Sequence, residues 1–235
     1  MSDLLHDLQE LGPGIVTTLW LTVLSFVLGF PLAVLVAIAF QSKHKLITAP
    51  LVVAIEILRG MPALLTLYFV YYGLPEQGIV LSATWSACLA FALTFVAYTA
   101  PIIAAAIAMV PAAHVEAGEA LGLGRTTITL RIVLPQALRA ALPPLISWTV
   151  ILFQGTSLAG WVGTSDLFAM AKSQGAQDYR YLYHLAVAAG VYAAISIPFL
   201  ALAARLERRR GGGSGIRGLA RSLRRAAGPS AVTPA

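Results

Sequence analysis

Charged residues are scarce in this chain. Of its 235 residues only 11% are Asp, Glu, Lys or Arg, whereas a typical soluble domain carries about 25%. Hydrophobic residues make up 58%, and the mean hydropathy is +0.81. This composition excludes an ordinary water-soluble domain and indicates that lipid is the main solvent of the chain.

Cysteine and catalytic motifs are also nearly absent. Cys88 is the single cysteine, so we interpret it as a small packing residue rather than a disulfide or metal ligand. No His-Glu-x-x-His, Gly-x-Ser-x-Gly or Gly-Lys-Ser/Thr motif occurs, and the four histidines are scattered. The chain by itself is therefore predicted to be neither an enzyme nor an ATP-binding protein.

Long apolar runs dominate instead. Runs of more than 18 residues with few charges predict membrane-spanning helices, which satisfy their own backbone hydrogen bonds in lipid. Five spans can be drawn, and the first should bend at Pro31. They cover residues 15–40, 46–72, 81–110, 142–162 and 182–206. The predicted class is an all-α membrane protein with five transmembrane helices.

Basic residues predict the orientation of these spans. With the amino terminus outside and the carboxyl terminus in the cytoplasm, thirteen Lys and Arg lie on the cytoplasmic side, eight of them in residues 205–225. Only Lys172 and Arg180 are then outside. An excess of positive charge inside is the usual arrangement. The polar segment 111–140 is therefore predicted to be cytoplasmic.

Segment 111–140 has an internal order that predicts a docking surface. Residues 116–122 read as a short helix that Gly122 ends, since glycine adopts positive φ without strain. Residues 126–133 read as a second amphipathic piece that Pro135 closes. An ordinary amphipathic loop with a good C-cap is the alternative.

This segment resembles the EAA loop of bacterial ABC-importer permeases. That pattern is Glu-Ala-Ala, then a glycine, then Ile-x-Leu-Pro about a dozen residues later. Gly118 stands here in place of the second alanine, and the other pattern residues fall in register. The candidate coupling residues that the resemblance implies are Glu116, Ala117, Glu119, Gly122, Ile132, Leu134 and Pro135. Further stretches resemble the polar-amino-acid permease family over roughly residues 12–207: 18–22, 56–75, 134–145 and 156–159.

The resemblance implies a type I importer permease in the bacterial inner membrane, with a five-helix core and a cytoplasmic coupling helix. It implies three protein partners within the lipid bilayer or at its surface. They are a like or identical permease, an ATPase dimer that binds ATP and Mg, and an extracytoplasmic solute-binding protein. No cofactor is expected in this chain itself, and no nucleic acid is expected as a partner.

Two charges are predicted to lie inside the second span. Glu56 and Arg59 share a helical face and can pair, and each costs about 3 kcal/mol to insert alone. They either shape the solute path or gate, or form an internal salt bridge. Gly60 and Pro62 follow, where they either open the backbone to a cavity or make a packing kink.

Polar side chains also fall in the fourth span. Gln154, Thr156 and Ser157 could line the path, although hydroxyls often bond their own helix.

Three departures from the family concern charge. Pro101, Ala104 and Gly155 stand where relatives usually carry Glu, Arg and Asp. If those charges contact the solute in relatives, this subunit leaves recognition to a partner or handles another solute. We therefore expect a heterodimer.

A change of composition at residue 208 predicts the domain boundary. Residues 1–207 would form the permease domain, and 208–235 a basic, disordered cytoplasmic tail. A short basic helix on anionic lipid is the alternative for part of the tail.

The function predicted from the sequence is ATP-driven import of a polar amino acid or a related small zwitterion, energised through the EAA loop. One alternative is an ion-coupled carrier with Glu56 as the coupling carboxylate. Such a carrier usually has more spans or internal repeats, which are absent here. A second alternative is a structural membrane scaffold.

Overall fold

A computed structural model describes residues 9–209. Within this range all regular structure is helical, which confirms the all-α class. The helices are α1 (Gly12–Ala39), α2 (Lys45–Gly60), α3 (Ala63–Glu76), α4 (Ala83–Ala108), α5 (Ala112–Ala120), α6 (Arg125–Val162), α7 (Leu167–Asp178) and α8 (Tyr181–Arg209).

Four of these helices can each cross a membrane by length and composition: α1, α4, α6 and α8. The pair α2 and α3 adds a fifth if the bent pair counts as one span. This number agrees with the five predicted spans, but the second and fourth spans differ from the prediction in shape.

The second span is broken rather than continuous. The chain bends by 109° between α2 and α3, so the span predicted over 46–72 consists of two helices. Met61 is extended, with φ −92° and ψ 138°, because the ring of Pro62 disfavours a helical residue before it. Gly60 and Pro62 therefore make a sharp corner, more than the loosening expected from the sequence.

The helix that contains the fourth span begins well before the predicted start of the span. Helix α6 runs from Arg125 to Val162 without a break, so the prediction that Pro135 closes a separate segment is wrong. A π-helical turn over Thr129–Val133 precedes the regular α-helix Leu134–Gly155. The wider turn accommodates a proline that has no N–H to donate and whose ring crowds the preceding turn. Pro143 and Pro144 consequently lie inside the helix rather than in its first turn.

The same arrangement occurs in α3. Its π-helical turn, Phe69–Gly73, also ends two residues before a proline, Pro75. Each proline thus follows a local widening of its helix, but only α6 continues far beyond it, since α3 ends at Glu76.

Small residues bring α1 and α4 together in the core. Ser25, Gly29 and Ala33 are buried on one face of α1. A Cβ added to Gly29 would stand 3.1 Å from the carbonyl oxygen of Ala92. This close approach confirms that Ser25 and Gly29 serve packing within the chain. Cys88, on α4, is fully buried beside them, as predicted for a packing residue.

Helix α7 is an element that the sequence analysis missed. It has 12 residues and lies between the fourth and fifth spans. Gly14 of α1 allows its close approach, since a Cβ there would stand 2.9 Å from the Cα of Leu167. At the other end of α7, Gly175 allows a close approach to Tyr181. A Cβ added to Gly175 would stand 2.8 Å from the Cα of Tyr181.

The last helix continues slightly past the predicted domain boundary. Helix α8 ends at Arg209. Residues 1–8 and the predicted tail from residue 210 onward lie outside the described residues.

Candidate coupling surface and polar path

Helix α5 is short and sharply bounded. Pro111 precedes it, and its carboxyl end is a Schellman motif built on Gly122, which has φ +74°. The Leu123 N–H donates to the Gly118 carbonyl at 3.0 Å, and the Gly122 N–H donates to the Glu119 carbonyl at 2.9 Å. The helix end predicted from Gly122 is therefore confirmed, and both bonds hold the following turn in one conformation.

One glycine seats α5 on α6. Gly118 is the buried residue of α5, and a Cβ there would lie 2.9 Å from Cγ1 of Ile128 and 3.3 Å from Cδ1 of Ile132. The glycine that replaces the usual alanine thus permits contact between the two helices. Ile132, from the predicted set, belongs to this seat, and Leu134 is half-buried just beyond it.

The other face of α5 is exposed. Glu116, Ala117 and Glu119 face solvent, and neither glutamate makes an ion pair within residues 9–209. Leu121 follows with 78% of its surface exposed. Carboxylates beside an open leucine form a rigid surface that can receive a complementary partner.

The charged pair of the second span forms as predicted. Nη1 of Arg59 lies 2.8 Å from Oε1 of Glu56. Their side chains are 41% and 61% exposed, respectively. In a membrane-spanning helix such exposure indicates a water-filled cavity or a partner subunit, because lipid would not accept it.

Two aromatic residues extend this pair, and the sequence analysis did not assign them to the path. The Tyr98 hydroxyl donates to the Arg59 carbonyl at 3.1 Å, and the Arg59 guanidinium lies 5.9 Å from the centre of the Tyr98 ring. Trp148 stacks on Tyr98, with ring centres 4.2 Å apart and planes inclined by 18°. Helices α2, α4 and α6 meet here, a long-range contact for which the sequence carries no signal.

The polar residues of the fourth span divide into two groups. The Thr156 hydroxyl is buried and donates to the Phe153 carbonyl at 2.7 Å, while the Ser157 hydroxyl donates to the Gln154 carbonyl at 2.8 Å. Gln154 reaches across to α8, where its Nε2 donates to the Ser196 hydroxyl at 3.2 Å. Gln154 and Ser157, but not Thr156, border a cleft of about 500 Å³ between α6, α7 and α8.

The described residues show no hydrogen bond or ion pair between these groups and the Glu56–Arg59 pair. The structure therefore gives two polar regions rather than one continuous site.

The three positions that depart from the family pattern lie in different structural environments. A Cβ on Gly155 would meet nothing within 4 Å, so an aspartate would have space there. Pro101 lies inside α4, and the Ala104 carbonyl accepts a bond from the Gln41 side chain at 3.3 Å.

A buried acid caps α7. Oδ1 of Asp166 accepts from the backbone N–H of Phe168 at 2.8 Å and of Ala169 at 3.1 Å. The residue is fully buried, and Oδ2 has no hydrogen-bond partner within the described range. Burial raises the pKa of the Asp166 carboxyl from 3.8 to about 6. Next to it, the Leu167 N–H donates to the Thr18 hydroxyl at 3.1 Å, which ties α7 to α1.

The far end of α7 is fixed by a second acid. Oδ2 of Asp178 lies 2.8 Å from Nε2 of His184. The His184 ring and the Arg180 backbone N–H hold the pKa of Asp178 below its usual value. The sequence analysis had assigned no role to either acid.

Comparison with known proteins places this architecture in a family. Residues 12–212 match the family model described as binding-protein-dependent transport system inner membrane component. The chain belongs to this family.

No group of His, Cys, Asp and Glu suited to a metal ion occurs in residues 9–209.

Individual relatives agree with this membership. The chain is similar to the L-cystine transport system permease protein TcyB of Bacillus subtilis, with 36% identity over 72% of each protein. It is 34% identical to the histidine/lysine/arginine/ornithine transport system permease protein HisM of Escherichia coli, over 83% of this chain and 87% of that one. These relatives are transport permeases, which confirms the prediction of a multi-pass transporter subunit rather than an enzyme.

Solved structures give the same fold. A crystal structure of an amino acid ABC transporter with histidines matches with a TM-score of 0.77 and 28% identity, over 88% of this chain and 97% of that one. The MetNI methionine ABC transporter matches in fold, with a TM-score of 0.65, 18% identity and 84% and 96% coverage. The predicted type I importer permease fold is confirmed.

Proposed function

We propose that this chain imports a polar amino acid or related small zwitterion as one permease subunit of an ATP-driven importer. Family membership and the amino-acid transport systems of the relatives support this assignment. The ion-coupled carrier and the structural scaffold receive no such support. Glu56, the carboxylate that the carrier would use, is already paired with Arg59.

The coupling surface is α5 together with the turn that follows it and the first part of α6. Its proposed residues are Glu116, Ala117, Glu119, Gly122, Ile132, Leu134 and Pro135. The single observation that carries this proposal is the fixed seat of α5 on α6, through Gly118 and Ile128, beside an exposed acidic face. A partner that moves α5 also moves α6, because the two helices are in direct contact.

The partner on this surface is proposed to be a dimer of ATPase subunits, which bind ATP and Mg and lie in the cytoplasm. An extracytoplasmic binding protein would deliver the solute on the other side. This places the amino terminus outside and the carboxyl terminus inside. We retain residues 1–207 as the permease domain and 208–235 as a cytoplasmic tail.

The translocation path is proposed to run past Glu56, Arg59, Gly60, Pro62, Gln154, Thr156 and Ser157. The exposed ion pair and the open cleft beside Gln154 support this. Thr156 would act by shaping its helix, because its hydroxyl is bound to a backbone carbonyl. The second permease is proposed to differ from this one and to supply the charges that Pro101, Ala104 and Gly155 lack.

A matched pair of glycines tests the coupling surface. Gly122 and Gly124 are both exposed with nothing within 4 Å of an added Cβ, but only Gly122 has positive φ. Gly122→Val forces a β-branched residue into a left-handed conformation, at a cost of at least about 1 kcal/mol. Gly124→Ala introduces no strain.

The measurement is solute-stimulated ATP hydrolysis by the transporter reconstituted with its ATPase and binding protein. We expect Gly122→Val to lower stimulation several-fold with unchanged subunit assembly, and Gly124→Ala to behave as wild type. Equal stimulation in both variants would remove α5 from the coupling step. Uptake driven by an ion gradient without ATP would overturn the importer assignment itself.

A further inference from the structure

An apolar groove opens between three spans, away from the coupling surface. Its volume is about 390 Å³, and its walls include Leu19 and Val23 of α1, Val150 and Phe153 of α6, and Ile195 and Phe199 of α8. Ile195 lies 14 residues from either end of α8, which corresponds to roughly 21 Å of helix on each side. The groove is therefore at the middle depth of the membrane.

The polar groups of the groove are already satisfied by the protein. The Thr22 hydroxyl donates to the Thr18 carbonyl at 2.8 Å, and the Thr149 hydroxyl donates to the Leu145 carbonyl at 2.9 Å. The Ser196 hydroxyl accepts from Gln154. A water molecule in a cavity needs two to four polar partners, and the three hydroxyls of the lining are each already engaged in a hydrogen bond within the protein. The lining therefore favours an apolar occupant.

The edges of the groove carry larger side chains than close helix–helix contacts in membranes usually do. Helices associate in membranes through small residues that let their backbones approach. On α1 the small residues Ser25 and Gly29 are buried against α4, whereas Leu19 and Val23 project at the groove with about half of their surface exposed. Phe199 forms the opposite edge. This opening fits a thinner occupant than a helix.

Of the four helices that can each cross a membrane, α8 is the least buried within the protein. In its most apolar 18-residue window only 11% of residues are buried, compared with 33% in α1 and 39% in α6. A hydrocarbon chain in the groove would contact α8 together with α1 and α6, and so complete the packing of the span that the protein itself covers least.

We propose that this groove binds one acyl chain of a membrane phospholipid as a fixed ligand. The bound chain supports α8 next to the Gln154–Ser196 hydrogen bond. The proposal depends on the chain spanning a membrane and is independent of which solute it transports.

Photolabelling of the assembled transporter in lipid nanodiscs tests the proposal. The probe is a phosphatidylcholine with a diazirine halfway along one acyl chain, present at low abundance in phosphatidylethanolamine. We expect the label to collect on groove residues of α1, α6 and α8 several-fold above Leu32 and Leu35, which are exposed on α1 outside the groove. Labelling in simple proportion to exposure would overturn the proposal.

Two pairs of variants separate the groove from the general lipid surface. Val150→Phe fills the groove, whereas Ile151→Phe places the same side chain on the adjacent exposed position, outside the lining. Val23→Phe at the exposed edge, with Val27→Phe one turn further as its control, avoids any change in the buried core. We expect groove labelling to fall at least several-fold in Val150→Phe and Val23→Phe only.

The isolated chain supplies the remaining comparison. Strong groove labelling in the isolated chain that disappears in the assembled transporter would show that the second permease covers the groove, and would overturn the proposal. Equal labelling in both preparations supports a lipid ligand.

Discussion

Asp166 is an acid whose burial conflicts with its charge. Its carboxylate accepts two backbone N–H groups at the start of α7, yet Oδ2 is buried without a hydrogen bond inside the described range. A pKa raised from 3.8 to about 6 means that the folded state favours the protonated carboxyl more than the unfolded chain does. The ionised form is therefore a source of instability, even though it caps a helix.

This conflict predicts a pH dependence of stability. As pH rises from about 4 through 6, wild type loses up to about 3 kcal/mol relative to a variant without this acid. Asp166→Asn keeps an oxygen for the cap and removes the charge. We expect its thermal midpoint in detergent to rise above that of wild type between pH 4 and 7. A difference that does not change with pH would contradict the burial argument.

The helix cap can be measured separately at the same position. Asp166→Ala removes the cap as well as the charge, so it should be less stable than Asp166→Asn by about 1 kcal/mol at every pH. Hydrogen exchange in residues 167–170 should increase in the alanine variant only. The acid at Asp178 does not interfere, since its pKa is lowered and its effect falls at more acidic pH.

Gly118 illustrates how a family residue can be wrong for one member. Gly118→Ala restores the usual EAA alanine but pushes Ile128, whose Cγ1 would lie 2.9 Å away. We expect this variant to reduce solute-stimulated ATP hydrolysis. Ile128→Val keeps Cγ1 but removes Cδ1, which would lie 3.1 Å from the added Cβ, and costs about 1 kcal/mol on its own. The double variant should recover part of the loss, whereas additive losses would show that the contact is unimportant.

At the scale of elements, the same residue type has different roles in α1 and α8. Gly29 is buried against α4, while Gly190 meets nothing within 4 Å of an added Cβ. Gly29→Leu should separate α1 from α4 and lower the thermal midpoint by several degrees, and Gly190→Leu should leave the isolated chain unchanged. Comparable losses in both would contradict the packing argument, because leucine has a higher helix propensity than glycine at either position.

Element boundaries were predictable where the signal is local. Gly122 ends α5 as expected, because a Schellman motif involves only residues near it in sequence. The corner at Met61 was underestimated, since hydropathy runs evenly across it. Helix α7 was missed because it is short and carries Lys172 and Asp178, and its position depends on close contacts with α1 and α8.

Proline positions were misread for a physical reason. Pro135 was expected to close a helix because it lacks an N–H, but the π-helical turn Thr129–Val133 removes the conflict without ending the helix.

The candidate site was predictable only where its residues lie close together in the sequence. Glu56 and Arg59 are three residues apart and could be paired from the sequence, whereas Tyr98 and Trp148 join them only through the tertiary fold.

At the scale of the whole molecule, the proposed orientation makes a labelling prediction. Ser165 and Gly124 are both exposed, on opposite sides of the membrane according to the basic-residue distribution. Cysteines introduced at these positions should differ in intact cells: a membrane-impermeant maleimide should label Ser165→Cys and not Gly124→Cys.

The native thiol does not disturb this experiment, because Cys88 is fully buried. Both variants should react once the membrane is disrupted, which controls for accessibility. Labelling of Gly124→Cys in intact cells would place α5 outside and separate it from any cytoplasmic ATPase.

The unbroken course of α6 limits how the transporter can deform. About 29 residues connect Arg125, beside α5, with Gln154, beside the cleft, which is roughly 44 Å of helix with no hinge loop. A torque applied at one end is therefore passed to the other end along the helix itself. Bending of α6 is then concentrated in the π-helical turn Thr129–Val133 before Pro135. The stiffness of that turn determines how much of the movement imposed by the ATPase reaches the solute.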